Sequence, residues 1–254
     1  NERLFLDGQT TKFSLEWRHA MFKKLDVSVF VPLVSQNSGF LDDEITSWHN
    51  FWGMPDGDRK SYQSDRLLYS YKTPSVDIDF SSSSKGIGNI GIAVNYVISS
   101  TTQQSTSITS GFSLPSGDNQ KFLGRDTKEL SLAIRQSGAS RVKAGLVWNA
   151  HAGYIFADNQ TQAFGQVDKF RWFLGGSIGF DISDKVAVLV QLDAFDSVIS
   201  SPINALGEPA VMLSLGTRLK LSEKWTLDLS FTEDIKVESA PDITFNGTFR
   251  LNLD

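Results

Sequence analysis

Apolar and polar residues alternate along most of this 254-residue chain. The run from Lys185 to Phe195 is the cleanest, because its even positions are all apolar while Gln191 and Asp193 lie on the opposite face. A period of two is the pattern of a β-strand with one apolar and one polar face. The sequence therefore predicts an all-β protein built from two-faced strands.

The alternating segments are long. A soluble strand typically has about five or six residues, whereas a strand that crosses a bilayer at a tilt needs about ten. Eleven segments reach or approach this length: 11–21, 25–34, 87–99, 105–114, 126–137, 142–156, 170–182, 185–195, 211–221, 225–234 and 243–253. We therefore predict a transmembrane antiparallel β-barrel. A soluble β-sandwich or lipid-binding barrel remains the alternative.

The connections between these segments are alternately short and long. Short turns are predicted at Phe22–Lys24, Ser183–Lys185 and Ser222–Lys224, and longer connections at 35–65, 115–125, 157–169, 197–209 and 235–241. Short periplasmic turns with long extracellular loops are typical of an up-and-down outer-membrane barrel. The aromatic residues of the apolar face also fall into two bands near the segment ends, as expected for residues at the two membrane interfaces.

The strand count depends on two further segments. Leu4–Gly8 resembles the end of a strand that begins upstream of Asn1, which gives about 12 strands in total. A hairpin predicted at 66–81 would raise the count to 14 if it lies in the wall. Single-chain bacterial barrels have even strand numbers. We treat 1–254 as one barrel domain with an incomplete first strand.

Helical periodicity occurs in one place, within the 35–65 loop. Between 40 and 52 the apolar residues recur at helical spacing, and Asp42, Asp43 and Glu44 favour the N-terminal turn through the helix dipole. Gly53 and Pro55 end the pattern. We predict one short extracellular helix at 40–52.

Composition narrows the functional classes. The chain has 24 Lys and Arg against 29 Asp and Glu, a net charge of −5, which does not favour nucleic-acid binding. It has no Cys, so disulfides, thiol catalysis and thiolate metal sites are excluded. No metal ligand set or cofactor motif is found, so we expect no cofactor.

Several motifs resemble an uncharacterised family of Gram-negative outer-membrane barrels, catalogued only as a domain of unknown function. They are Val31–Val34, Ser38–Asp42, Trp48–His49, Phe51–Pro55, Gly57–Arg59, Gly86–Ile92, Gly111–Asp118, Lys128–Leu132 and Arg135–Ser137. The resemblance implies a bacterial outer-membrane location, with any signal peptide removed, but no activity. The Gly-x-Gly-Asn and Leu-Pro-Ser-Gly-Asp stretches also resemble transport-related barrels linked to aromatic or hydrophobic compounds.

The polar face carries many charges, which the barrel would direct into its lumen. The candidate passage residues are Lys12, Arg18, Arg135, Lys143, Arg171, Asp193, Arg218, Lys220, Asp228 and Arg250. They would either fill the lumen with ion pairs in place of an apolar core or line a polar passage, because lumen residues tune selectivity. Both interpretations stay open.

Two smaller groups of residues are candidate sites, a His–Asp pair and the aromatic residues of the predicted helix. His151 and Asp193 share the inward face and could orient a general base, but no Ser partner is evident, so we expect no catalysis. The helix carries the candidate ligand or rim residues Phe40, Trp48, His49, Phe51 and Trp52. They would either lie at lipid headgroups or present aromatic surface to a hydrophobic ligand at the lumen mouth.

The sequence as a whole favours passage or binding of small hydrophobic or amphipathic molecules. The first alternative is a structural or surface-interaction barrel with a charge-plugged lumen. The second is an outer-membrane lipid-modifying enzyme. The expected partners are the lipid bilayer, lipopolysaccharide and a small hydrophobic ligand, and the barrel is expected to be a monomer.

Overall fold

The structure is a computed structural model that describes residues 3–53, 63–73, 77–140, 145–158, 161–162, 165–235 and 243–253. Eleven long strands of 9–14 residues dominate it. They are β2 (Gln9–Phe22), β3 (Leu25–Asn37), β7 (Gly91–Ser100), β8 (Gln104–Ser113), β9 (Glu129–Ala139), β10 (Leu146–Ala157), β13 (Phe170–Ser183), β14 (Val186–Phe195), β15 (Ala210–Lys220), β16 (Trp225–Asp234) and β17 (Ile243–Leu251).

The remaining elements are short. They are the strands β1 (Arg3–Asp7), β4 (Leu68–Lys72), β5 (Asp77–Phe80), β6 (Ser84–Ile87), β11 (Thr161–Gln162) and β12 (Gly165–Gln166), the helices α1 (Asp42–Trp52) and α2 (Asn204–Gly207), and a 3-10 turn at Asn119–Lys121. The predicted helix is present as α1, which ends at Gly53 with a positive φ of 67°. No helix in the described part of the chain is long and apolar enough to cross a membrane.

One twelve-stranded sheet forms the wall of the barrel. Its order is β17-β16-β15-β14-β13-β10-β9-β8-β7-β3-β2, and β6 pairs with β3 beside this path. Every long strand is antiparallel to its neighbours, and strands adjacent in space follow one another along the chain. The predicted antiparallel up-and-down barrel of about 12 strands is confirmed.

The twelfth strand of this sheet is β6, whereas the sequence predicted Leu4–Gly8 as the twelfth. Residues 3–7 form β1, which pairs with β4, and β4 pairs with β5 in a separate three-stranded sheet. The 66–81 hairpin therefore lies outside the wall, and the fourteen-strand alternative is wrong for the described residues. That a strand begins upstream of Asn1 stays a prediction.

The two ends of the barrel differ in their connections. At one end, which we call the turn end, two residues join β2 to β3 and two join β13 to β14. At the other end, the loop end, much longer segments connect the strands, and they include α1, the small sheet and α2. This distribution matches the predicted turns and loops, although 235–241 lies almost entirely outside the described residues.

The outer face of the wall is apolar and exposed. Phe13 is 68% exposed, Ile178 60% and Phe245 63%, which in an ordinary soluble protein would be a large uncovered hydrophobic surface. Aromatic side chains stand at both ends of this face, with Trp17 and Trp225 towards the turn end. This is the surface that a barrel in lipid requires.

The interior is filled near the loop end. Leu123, Val167, Ile199, Ala210 and Met212 are buried there, and Val167 bridges to Ile199 across two loops. Towards the turn end the inward residues of β2 remain exposed, Arg18 among them. The loops thus narrow the lumen at one end while the other end stays accessible.

Candidate functional site

The lumen charges lie where the strand pattern predicts. On each strand they alternate with the exposed apolar residues, so they occupy the inward face: Lys12, Arg18, Arg135, Arg171, Asp193, Arg218, Lys220, Asp228 and Arg250. Lys143 falls outside the described residues. The structure does not gather these charges in one site but distributes them around the lumen.

Many of the charges pair across neighbouring strands. Arg218 donates two hydrogen bonds to Asp228, from Nε at 2.7 Å and from Nη2 at 2.9 Å. Arg250 reaches the same carboxylate at 2.8 Å, so one acid serves two cations. Arg18 pairs with Asp26 at 2.7 Å, and Lys220 pairs with Glu223 of the adjoining turn at 3.1 Å.

The most buried charges form a cluster near the loop end. Arg171 Nη2 lies 2.6 Å from Glu129 Oε1, and the two residues are 4% and 9% exposed. Arg125 approaches the other oxygen of Glu129 at 3.6 Å. Loss of hydration lowers the pKa of Arg125, Glu129 acts in the opposite direction, and Arg171 lowers the pKa further.

The His151–Asp193 pair is present on the inward face. His151 Nε2 lies 3.5 Å from Asp193 Oδ1, and Gln191 donates a 2.7 Å hydrogen bond to the other carboxylate oxygen. Within the described ranges no Ser or Thr hydroxyl is hydrogen-bonded to His151. The described contacts thus give His151 a carboxylate neighbour but no hydroxyl partner.

Helix α1 contacts the outer face of β16. The Trp48 ring packs edge-on against Phe231 with centroids 5.5 Å apart, and His49 Nε2 lies 3.6 Å from Glu233. Phe231 and Glu233 share the strand face of Leu229, which is 43% exposed. Trp48 and His49 thus contact the outward side of the wall and do not line the chamber described below.

The other helix candidates have different surroundings. Phe40 is 69% exposed just before the helix, and its N–H donates to Gln9 Oε1 at 3.3 Å. Phe51 is 77% exposed. Trp52 is the last helical residue, and its side chain lies outside the described set.

The 115–125 loop, which the sequence predicts as extracellular, folds from the loop end into the lumen. In the 115–125 segment, Leu123 is 6% exposed, and the carbonyl of Phe122 accepts a 2.7 Å hydrogen bond from the inward-facing Gln36. Asn89 fixes both arms of this loop, because its Nδ2 donates to the Arg125 carbonyl at 2.8 Å and its Oδ1 accepts from the Gly117 N–H at 3.1 Å.

Two glycines permit this close packing. A Cβ at Gly88 would lie 2.9 Å from Val34 and 3.0 Å from the Leu123 carbonyl, and a Cβ at Gly124 would collide with the Asn89 carboxamide. In the sequence, the Gly-x-Gly-Asn and Leu-Pro-Ser-Gly-Asp stretches indicated only a resemblance to transport-related barrels. Gly88 and Asn89 of the first stretch were the signal for an inward loop, whereas Gly124 lies in neither stretch.

The inward loop encloses one side of a chamber of about 620 Å³ within the lumen. Its wall is mostly apolar, with Phe30, Pro32, Val34, Leu123 and Ile199 among the lining residues. Its polar lining includes Thr10, Lys12, Gln36, Asn89 and Arg125. Of these, only Lys12 was a predicted site residue.

The small sheet covers this region from the loop end. The Tyr69 hydroxyl donates to Gln36 Oε1 at 3.0 Å, and the Tyr69 ring packs edge-on against Phe122. Phe80 stacks on Tyr69 and also contacts Phe122 at 4.8 Å between centroids. Burial raises the pKa of Tyr69, so its phenol stays protonated and able to donate this hydrogen bond.

Comparison with known proteins supports the membrane assignment. The model of the family described as "Protein of unknown function (DUF3187)" matches residues 1–251, which confirms the resemblance found in the sequence. No curated protein matches the chain.

Among the solved structures that share the fold are three outer-membrane channels or porins. The COG4313 outer membrane channel from Pseudomonas putida F1 superimposes with a TM-score of 0.60 at 10% identity, covering 96% of this chain and 82% of that one. The KdgM porin gives 0.55 at 9% identity over 100% and 97% of the two chains. The NanC porin gives 0.51 at 8% identity over 95% and 99%. The fold is thus that of outer-membrane porins and channels, which supports an outer-membrane location.

Proposed function

Since the chain belongs to the DUF3187 family and has the fold of an outer-membrane channel, we propose that it binds small hydrophobic or amphipathic molecules and passes them through its lumen. The chamber of about 620 Å³ carries this proposal. Ligand sites typically have about 300–1,000 Å³ and an apolar lining with a few convergent polar groups. The chamber meets each of these conditions.

The proposal also covers the membrane partners and the oligomeric state of the barrel. The exposed apolar band would contact the lipid bilayer and, at the loop end, lipopolysaccharide. The protein would act as a monomer because each barrel has its own lumen and chamber.

Current recordings in planar bilayers test this function. The reconstituted protein should conduct ions, and phenylbutanol, a neutral amphiphile, should interrupt the current more often as its concentration rises. Sorbitol, which is neutral but wholly polar, serves as the control and should not interrupt it. A protein that conducts no ions and binds no phenylbutanol would contradict the proposal.

A specific observation favours the first alternative. Ion pairs such as Arg218–Asp228 and Arg171–Glu129 occupy the lumen and could replace a core, which would make the barrel a structural one. The same recordings separate the two functions, because a plugged lumen gives no current in the wild type.

A further inference from the structure

The charge around the chamber is unbalanced. Among the described lining residues, the charged ones are Lys12 and Arg125, and both are cations, whereas Glu129 and its partner Arg171 are not part of the lining. Arg171 takes the short contact to Glu129 at 2.6 Å, whereas Arg125 stands off at 3.6 Å. The described residues around the chamber therefore leave a positive excess.

Lys12 is the lining cation that has no carboxylate partner in the described part of the chain. Among the described residues it makes no ion pair, and its ammonium lies 5.0 Å from the centroid of the Phe30 ring. Arg18, six residues further along β2 on the same inward face, has Asp26 at 2.7 Å. Glu16 lies between the two cations on that face and forms no ion pair with Lys12 among the described contacts, so the described ion pairs give a carboxylate to Arg18 but none to Lys12.

The groups around Lys12 suit an amphipathic molecule. The Phe30 ring lies beneath the ammonium, and Pro32, Val34 and Leu123 continue the apolar surface towards the inward loop. An anion close to Lys12 and Arg125 would make charge-assisted hydrogen bonds, which are roughly twice as strong as neutral ones. The remainder of the same molecule would cover the apolar wall.

We propose that the chamber is a binding site for small amphipathic carboxylates, whose anionic group lies at Lys12 and Arg125 and whose apolar part packs against Phe30 and Leu123. This deepens the proposed function, on which it rests, by naming the chemical class that the passage selects. Phosphomonoesters, which carry about −1.5 to −2 charges at pH 7, and cationic amphiphiles are not the expected ligands, since one lysine without an ion pair and a partly engaged arginine suit a single negative charge.

A matched series of three solutes tests the inference. Phenylbutyrate, phenylbutanol and phenylbutylamine share one apolar part and differ in charge, and each is measured by the frequency with which it interrupts the current of the wild-type channel. Phenylbutyrate should bind about tenfold more tightly than the alcohol, which corresponds to about 1.4 kcal/mol, and the amine should bind most weakly.

Two lysine variants and one control locate the site. Lys12→Met keeps the apolar stem over Phe30 and should lose the preference for the acid while still binding the alcohol, whereas Lys12→Arg should keep the preference. Lys85→Met makes the same change at an exposed lysine of β6 that makes no ion pair among the described residues and does not line the chamber. This control should behave as the wild type does.

The outcomes separate this inference from the proposed function. If the acid and the alcohol bind equally well to the wild type, or if Lys12→Met and Lys85→Met lose the preference equally, the carboxylate site is wrong while the passage stands. If none of the three solutes interrupts the current, both proposals fail. Unchanged binding of the alcohol shows that each variant is folded.

Discussion

Arg171 donates a 2.6 Å hydrogen bond to Glu129 from a side chain that is almost wholly buried, although the two residues are 42 positions apart in the chain. They lie on β13 and β9, with β10 between them. The contact therefore bridges two strands that do not pair, and it ties the barrel wall to the base of the inward loop.

Removing one partner should destabilise the barrel. Arg171→Met leaves the Glu129 carboxylate buried with only the weaker contact to Arg125, and breaking a buried pair in this way costs about 3–5 kcal/mol. Urea unfolding in detergent micelles, followed by tryptophan fluorescence, measures the loss. Arg171→Met combined with Glu129→Leu should recover most of it, because no unpaired charge remains buried.

Arg135→Gln is the matched control for this loss. Its side chain is exposed on the inward face, so the free energy of unfolding should change by no more than about 0.5 kcal/mol. Equal losses of unfolding free energy for Arg171→Met and Arg135→Gln would show that the Arg171–Glu129 contact stabilises the barrel no more than an exposed lumen residue does.

The ion selectivity of the channel should change when the charge cluster of Arg218, Asp228 and Arg250 is altered. Replacing both Arg218 and Arg250 by Ala leaves Asp228 without cations and should produce a cation preference. Asp228→Asn should do the opposite and favour anions, since lumen charges tune selectivity. Reversal potentials under a KCl gradient measure both shifts, and an identical potential in all variants would contradict the expectation.

Asn89 should hold the inward loop in place. Asn89→Ala removes both hydrogen bonds that bind the two loop arms, and leaving such groups unsatisfied costs about 1–3 kcal/mol. The loop should withdraw, and single-channel conductance should rise. Asn149→Ala is the control, because Asn149 makes a weaker 3.4 Å contact to Ser177 away from this loop, and its conductance should equal that of the wild type.

Helix α1 should detach from the wall when its ring contact is lost. Trp48→Ala removes an aromatic pair worth about 0.5–1.5 kcal/mol beyond its buried area, so the 35–65 loop should be cleaved faster in limited proteolysis. Ser47→Ala, the control, changes an exposed residue of the same helix. Its cleavage rate should match the wild type, and equal acceleration in both variants would refute the docking of α1 through Trp48.

Acid should loosen the tip of the inward loop. A hydrogen bond from Lys121 holds the pKa of Asp118 below its ordinary value of 3.8. The contact is therefore complete above pH 3.8 and is lost as the pH falls through the lowered pKa. The protection of the Gln120 amide, which donates to Asp118 Oδ1, from hydrogen exchange, measured relative to the intrinsic rate at each pH, should fall in that range and should not change with pH in Asp118→Asn.

Strand alternation was enough to predict the barrel. Lipid on one side and a charged lumen on the other impose a period of two along every wall strand. The alternation alone therefore indicates that Val188 faces the lipid and that Asp193 faces the lumen. The helix was equally visible, because its acidic first turn and Gly53 mark both ends.

The chamber was not predictable from that pattern. A loop is polar whether it extends into solvent or folds inward, and only the contacts of Asn89 and Gln36 distinguish the two arrangements. Likewise, β1 alternates as a wall strand would, yet its partner β4 comes from the 66–81 hairpin. Strand pairing over more than 60 residues leaves no local signal in the sequence.

The most direct test of a ligand passage uses the absence of native cysteine in the chain. Ser113 lines the chamber, so Ser113→Cys places one thiol there, and a thiosulfonate reagent that reaches it should lower the single-channel current in a lasting step. We predict this step with reagent added on either side of a planar bilayer, and a slower reaction when phenylbutanol occupies the chamber. Reaction from one side only, or a rate that phenylbutanol leaves unchanged, would contradict a continuous passage with a binding chamber.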